Sequence, residues 1–215
     1  MRRRVKQRTR KQTAIRRCIF LIAVVLLMSA LRIYGILPIQ VIWRMADRAD
    51  VEHPIVVERF YDNTLPVTRF AVHHLVEGDN SVMLGVVGFQ IFMGWYDRAY
   101  ATVETWDENG LYAGIYQHTQ DEESVMYLYG RIDKPEIERL SLRIKELSMS
   151  DNTEMVRTVE IPMEGIMEKN KKRYILTKLQ LPEENVYPQE FLLTGWDISG
   201  QAVVTTEAKL WSWFS

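Results

Sequence analysis

Residues 18–31, CIFLIAVVLLMSAL, carry no charge, and nine Lys or Arg with no acid precede them: Arg2, Arg3, Arg4, Lys6, Arg8, Arg10, Lys11, Arg16 and Arg17. The apolar run continues through Arg32 into IYGIL and ends at Leu37. Helix over 18–37 rises about 1.5 Å per residue, enough to span a hydrocarbon core of about 30 Å. Twelve Leu, Ile, Phe or Val in that stretch contribute roughly −4 to −7 kcal/mol to insertion. A central Arg would cost about +2.5 to +3.5 kcal/mol. Arg32 lies near the outer end and can extend to the headgroups, so insertion wins. The sequence therefore predicts a transmembrane helix over 18–37 after a basic arm over 1–17. By the positive-inside rule the arm is cytoplasmic and the body extracytoplasmic.

A cleaved signal peptide is the competing reading. Cleavage after Ala30 puts Met28 at −3, where a small residue is needed. Cys18 precedes the apolar run, which does not suit lipoprotein processing. The Arg16-Arg17 pair resembles a twin-arginine signal, but a juxtamembrane charge pair is the simpler account. Ten of the 27 Lys and Arg precede residue 33, leaving 17 against all 28 acidic side chains, a net of −11 for 33–215. The basic arm determines topology and grips anionic lipid, so nucleic acid is not expected as a partner. Cys18 is the only cysteine. The body thus has no disulfide or thiol chemistry. It also lacks an Asn-x-Ser/Thr sequon, which points to a bacterial surface protein.

After Pro38, the residues Ile39, Ile42, Trp43 and Ala46 follow helical spacing, with Arg44, Asp47, Arg48 and Asp50 opposite. This predicts an amphipathic helix ending before Pro54. It covers the sheet that follows; the alternative is an interfacial helix lying on the bilayer. Strands are expected over 54–62, 67–77, 81–96 and 98–107, separated by turns at Asp62-Asn63, Gly78-Asp79-Asn80 and Asp97. The run LGVVGFQIFMG suits a buried central strand, being too short and too Gly-interrupted for a second span. The polar segment 113–124 is the expected domain boundary. Further strands are expected over 124–132, 137–147, 155–163, 173–181, 190–197 and 201–211. Leu140, Leu142 and Ile144 alternate there with Ser141, Arg143 and Lys145, giving one wet face.

The fold class is mainly β, α+β overall. An amphipathic helix sits on a small antiparallel sheet in 38–118, and an Ig-like β-sandwich occupies 122–215.

Two Trp-Asp-x-x-Gly units, 106–110 and 196–200, each end a strand. Asp accepts backbone N–H groups two residues on, and Gly supplies positive φ, so both are expected as turns. A Ca²⁺ loop would need more oxygen donors than Asp107, Glu108 and Asn109 provide. His73 and His74 are neighbours on a strand and point to opposite faces, so they do not share a metal; His53 and His118 stand apart. Phosphate loops and nucleophile motifs are absent from the sequence. No catalytic, cofactor or metal residue is therefore assigned. The aromatics Trp95, Tyr96, Trp106, Trp211 and Trp213 are candidate partner contacts. The tail LWSWFS is expected as a final strand, or else as an exposed docking patch.

The stretches YLYGRIDKPEIERLSLRI and EFLLTGWDISGQAV resemble the strand and closing-hairpin pattern of bacterial immunoglobulin-like modules. With its arm, span, Pro-led helix, sheet and terminal β module, the chain is similar in architecture to uncharacterised surface proteins anchored in Gram-positive membranes. That resemblance implies no activity. The expected function is a non-catalytic accessory or protein-interaction module at the outer membrane face, tethered through 18–37 and partnered by another membrane or cell-surface protein. The alternative is a binding module for a wall polymer, glycan or peptide. An enzyme with a non-obvious carboxylate or histidine site is the third class.

Overall fold

A computed structural model describes residues 10–30, 35, 37–61, 71–90, 94–105, 108–120, 123–163, 166–180 and 186–214. Among these residues two helices, α1 (Arg10–Ala30) and α2 (Pro38–Arg48), precede thirteen strands. Strands β1 (Ile55–Tyr61), β2 (Ala71–Glu77), β3 (Ser81–Gln90) and β4 (Gly94–Glu104) pair antiparallel in chain order. A second sheet has the order β13 (Lys209–Phe214), β5 (Leu111–Gln120), β6 (Glu123–Ile132), β10 (Lys172–Leu179) and β9 (Ile166–Lys169). The third runs β12 (Ala202–Glu207), β11 (Val186–Trp196), β7 (Arg139–Ser148), β8 (Glu154–Ile161). The mainly β class and its sandwich packing stand.

Three apolar clusters stack these layers. Val41, Ile42, Met45 and Ala46 of α2 pack on Val72, Val76, Met83 and Val87 of the first sheet. The other face of that sheet, with Leu75, Leu84 and Ala101, meets Tyr116, Tyr127, Tyr129 and Tyr174 of the second. The second sheet turns Leu111, Ile115, Met126, Leu128 and Ile175 toward Leu140, Leu142, Ile144, Phe191 and Leu193 of the third. The order is helix, sheet, sheet, sheet. The middle sheet is covered on both faces, which is why β6 has apolar and aromatic residues at consecutive positions.

Several expectations need correction. The expected strand over 81–96 is broken: β3 ends at Gln90, β4 starts at Gly94, and these two residues pair. Asp97, expected as the turn, lies inside β4 beside a bulge and forms an ion pair with Arg48. The hairpin connection is Ile91-Phe92-Met93, whose apolar identities concealed it; these three lie outside the described residues. The segment 113–124 is not a boundary. Its described part belongs to β5 and β6, which pair over their whole length in the middle sheet. The buried stripe of α2 excludes Trp43, which is 54% exposed. Gly85 explains the rotation, because a Cβ there would come within 3.0 Å of Ile42 and 3.5 Å of Met45. At Asn170-Lys171, both with positive φ, a two-residue hairpin joins β9 to β10. The expected strand over 201–211 is two strands. The chain switches sheets at Ala208, which is buried and donates its N–H to the Phe191 carbonyl.

The helix expected over 18–37 is described only to Ala30, and Gly35 already pairs with Trp95 in a β-bridge. A single span through Leu37 is therefore ruled out at its outer end. Among the described residues no helix is long and apolar enough to cross a membrane. The described apolar side chains of α1 are exposed, Ile19 to 60% and Phe20 to 68%.

Candidate functional site

The first and second sheets are joined by a buried ionic cluster. Glu77, at the end of β2, is 7% exposed. It accepts hydrogen bonds from Tyr174 Oη and Lys172 Nζ, both at 2.5 Å, and meets Arg131 Nη1 at 3.4 Å. Arg131 also donates from Nη2 to Asp133 at 2.7 Å, and its guanidinium lies 5.4 Å from the centre of the Tyr112 ring. Burial alone would raise the Glu77 pKa. Hydrogen bonds from Lys172 and Tyr174, with the charges of Lys172 and Arg131, outweigh burial and hold it below the ordinary carboxylate range. Tyr174 is pushed the other way, by burial first and then by its bond to the carboxylate. The cluster is a charge network in a low-dielectric position, in which only Nε of Arg131 finds no hydrogen-bond partner among the described residues, and its first role is to fix one sheet on the other.

Tyr112 also lines a groove of about 590 Å³ where β4, β5, β12 and β13 converge. Its walls are Thr102, Val103, Glu104, Ala113, Thr206, Glu207, Lys209 and Trp211. The sheet switch at Ala208 forms one wall, carrying Glu207 into the third sheet and Lys209 into the second. Thr102 and Glu104 are shared with a second groove of about 400 Å³, lined by Ala49, Asp50, Glu52, Asn80 and Ser81. The pair forms an open cleft rich in carboxylates and hydroxyls, with a Trp that is 41% exposed. Such a surface offers a stacking platform and hydrogen-bond acceptors for a hydroxylated or cationic ligand. It disfavours an anionic one. Among the described residues no three His, Cys, Asp or Glu side chains come together as a metal site.

Of the five aromatics named from sequence, those whose side chains are described do not gather into one surface. Trp95 is half-buried on the α2 cluster and packs against Phe89 at 5.1 Å between ring centres. Tyr96 lies over Gly88, next along the same strand end. Trp211 is the groove aromatic. Trp213 is in β13, but its side chain, like the whole of Trp106, lies outside the described residues. The tail is a strand, as expected: β13 pairs in parallel with β5 from Lys209 to Phe214.

His73 and His74 take opposite faces. His73 stacks on Phe60 at 4.6 Å and meets Tyr127 at 5.1 Å inside the inter-sheet core. His74 is buried on the α2 side, and burial lowers its pKa. His53 is exposed and bonds Asp79 at 2.9 Å. The second Trp-Asp-x-x-Gly unit is a turn. One Asp197 carboxylate oxygen accepts from Ser199 N, Ser199 Oγ and Gln201 N, and Gly200 has φ of +82°. In the first unit, Asp107 lies outside the described residues and Gly110 has φ of +69°. The Trp196 indole donates to Ser141 Oγ at 2.8 Å and carries Arg139 over its ring.

Sequence reasoning missed the Glu77 cluster, because its members are scattered over residues 77–174. The one cue was charge in apolar strand surroundings: Glu77 closing AVHHLV and Arg131 closing YLYG. Compared with known proteins, the chain matches no family model, no curated protein and no solved structure.

Proposed function

We propose that this is a membrane-anchored, extracytoplasmic, non-catalytic accessory module that acts by binding another protein at the membrane surface. The observation that carries the reading is the position of Gly35, already paired with the body five residues after the last described residue of α1, whose described apolar side chains are exposed. The anchor is residues 18–34, shortened from 18–37 because Gly35 is paired. Helix at about 1.5 Å per residue makes this just long enough for a bilayer. Arg32 then lies at its outer edge, and nine cations hold the other end in the cytoplasm.

Strand order supports an immunoglobulin-like body. Lettered from β5 as A, one sheet has A-B-E-D with β13 added beside A, and the other has G-F-C-C′. That is the arrangement of immunoglobulin sandwiches. The module then begins at Leu111, and α2 with the first sheet forms an added layer on it. Such a rigid β body on a tether, of the kind seen in the Gram-positive surface proteins it resembles, suits recognition.

The test is crosslinking in native membranes, capture of the full-length chain and mass spectrometry, with residues 1–37 alone as the control. Enrichment of one membrane complex that depends on 38–215 is the expected outcome. Equal capture by the control would overturn the reading. A second reading, binding of a neutral or amino-bearing wall glycan, is favoured by the groove around Trp211. The Trp211→Ala variant would then lose retention on purified wall polysaccharide while keeping its fold.

A further inference from the structure

The third sheet is the last layer of the stack, and among the described residues no further layer covers its outer face. Strands β7 and β11 turn Leu140, Leu142, Ile144, Phe191 and Leu193 to the core, so the residues between them face outward. On β11 and β12 the same face is marked by Thr194 and Thr205, whose hydroxyls bond at 3.0 Å. The register sets three outward residues in one row. Glu207 of β12 lies opposite Leu192 of β11, and Leu192 lies opposite Arg143 of β7. An acid and a base therefore flank one leucine, two strand spacings or about 10 Å apart.

Most other charges on this face are already paired. Arg139 lies over the Trp196 ring and 4.0 Å from Glu160, and Lys145 bonds Glu154 at 3.0 Å. Arg143 and Glu207 are exposed, and among the described residues neither side chain makes an ion pair or a hydrogen bond. Glu190 also faces outward, but it sits at a bulge in β11, where the strand bends and the regular rows end. On the four strands the outward charges are three cations and four acids, 3 − 4 = −1. The body as a whole carries −11.

We infer that this face pairs with the same face of a second copy of the chain, about a two-fold axis running along β11. Such an axis reverses the row Glu207–Leu192–Arg143. Leu192 meets Leu192, and each Arg143 meets the Glu207 of the other copy. Thr194, the next outward residue of β11, also falls on the axis. Sheets packed face to face lie about 10 Å apart, within reach of these side chains. An isologous pair makes every contact twice. Four charges without partners in the separate chains thus form two ion pairs around an apolar centre. Near-neutrality matters here, because two bodies of −11 repel each other through their more acidic surfaces. An axis parallel to the strands also leaves both N-terminal segments at one end of the pair, as two chains tethered in one membrane require. In all other respects the inference stands on the sheet face and not on the anchor.

The test uses the full chain, purified in detergent in a Cys18→Ser background and treated with a short bismaleimide. Thr194→Cys puts a reporter on the axis. Asp47→Cys, an exposed position on α2 at the far side of the stack, is the control. Thr194→Cys should crosslink into a dimer and Asp47→Cys should not. With the Thr194→Cys reporter, Arg143→Glu or Glu207→Arg brings like charges together twice. Each should weaken dimerisation at least about ten-fold, read from the crosslinked fraction against protein concentration. Both reversals in one chain should restore the dimer, and mixing the two single variants should give a crosslinked heterodimer. Both positions are exposed, so melting temperatures should stay at the parent value, which separates loss of pairing from loss of folding. A dimer that ignores both reversals is held elsewhere and overturns the inference. No crosslink at Thr194→Cys overturns it too, as do losses that neither the double variant nor the mixture repairs.

Discussion

Glu77 is the residue whose loss the fold should feel most. It is the common acceptor for Lys172, Tyr174 and Arg131, which come from two strands of the neighbouring sheet. Glu77→Ala leaves the buried Arg131 with Asp133 alone and takes the acceptor from Tyr174 and Lys172; breaking such a buried ionic pair typically costs about 3 kcal/mol or more. Urea unfolding of the detergent-solubilised chain should register that loss. Glu77→Gln, which keeps an acceptor for Tyr174, should recover part of it. The residue scale also predicts acid lability. The folded His74 has a lowered pKa, so the unfolded chain takes up its proton first. Stability then falls as pH drops below the ordinary histidine value of about 6.5. Glu77 has a lowered folded pKa; its contribution is present above the ordinary carboxylate range and is lost as pH falls through the folded value. Melting temperature followed against pH should therefore decline in two stages. His74→Gln should remove the upper stage alone.

At the scale of elements, β13 is the test case. It is an edge strand held by β5 on one side, with Leu210 and Trp211 about two-fifths exposed. Neither main core cluster includes a described β13 side chain among its buried residues. Deleting 211–215 should leave a cooperative fold and lower the melting temperature by about 5 °C, equivalent to roughly 2 kcal/mol for a body of this size. Loss of all cooperative melting would mean that β13 belongs to the folding unit. The elements also mark where sequence pattern misleads. Alternation in β7 placed Leu140, Leu142 and Ile144 on one core and Arg139 and Arg143 toward water, but Ser141 on the outer face is buried beneath Trp196. The same logic failed for β3 and β4. Apolar residues on both sides of the hairpin, and in its connection, erased the turn signal that polar residues ordinarily provide. It failed for β5 because the polar end of a strand resembles a linker until its partner is known.

For the whole molecule, acidic side chains are spread over the body, Glu123 and Asp151 lying toward the β3–β4 end and Glu77 and Glu104 toward the other. The charge asymmetry along the sequence, cationic through Arg32 and acidic after it, sets the proposed orientation in the membrane. Combining Cys18→Ser with Ser215→Cys gives a topology reporter. An impermeant maleimide should label it in intact cells; protection there, with labelling only after lysis, would reverse the proposed orientation.

The amino-acid sequence alone determined the β-rich, sandwich-packed body and the Asp197 turn. Both follow from periodicity, turn chemistry or residue identity within a few positions. It also located the candidate aromatics, but not their company. Only the tertiary structure decided that Trp211 lines a cleft while Trp95 is clamped to Gly35, that β5 starts the middle sheet, and that Glu77 is a buried hub. Each depends on contacts between residues far apart in the chain, and sequence pattern records which face of a strand is apolar without recording what lies against it.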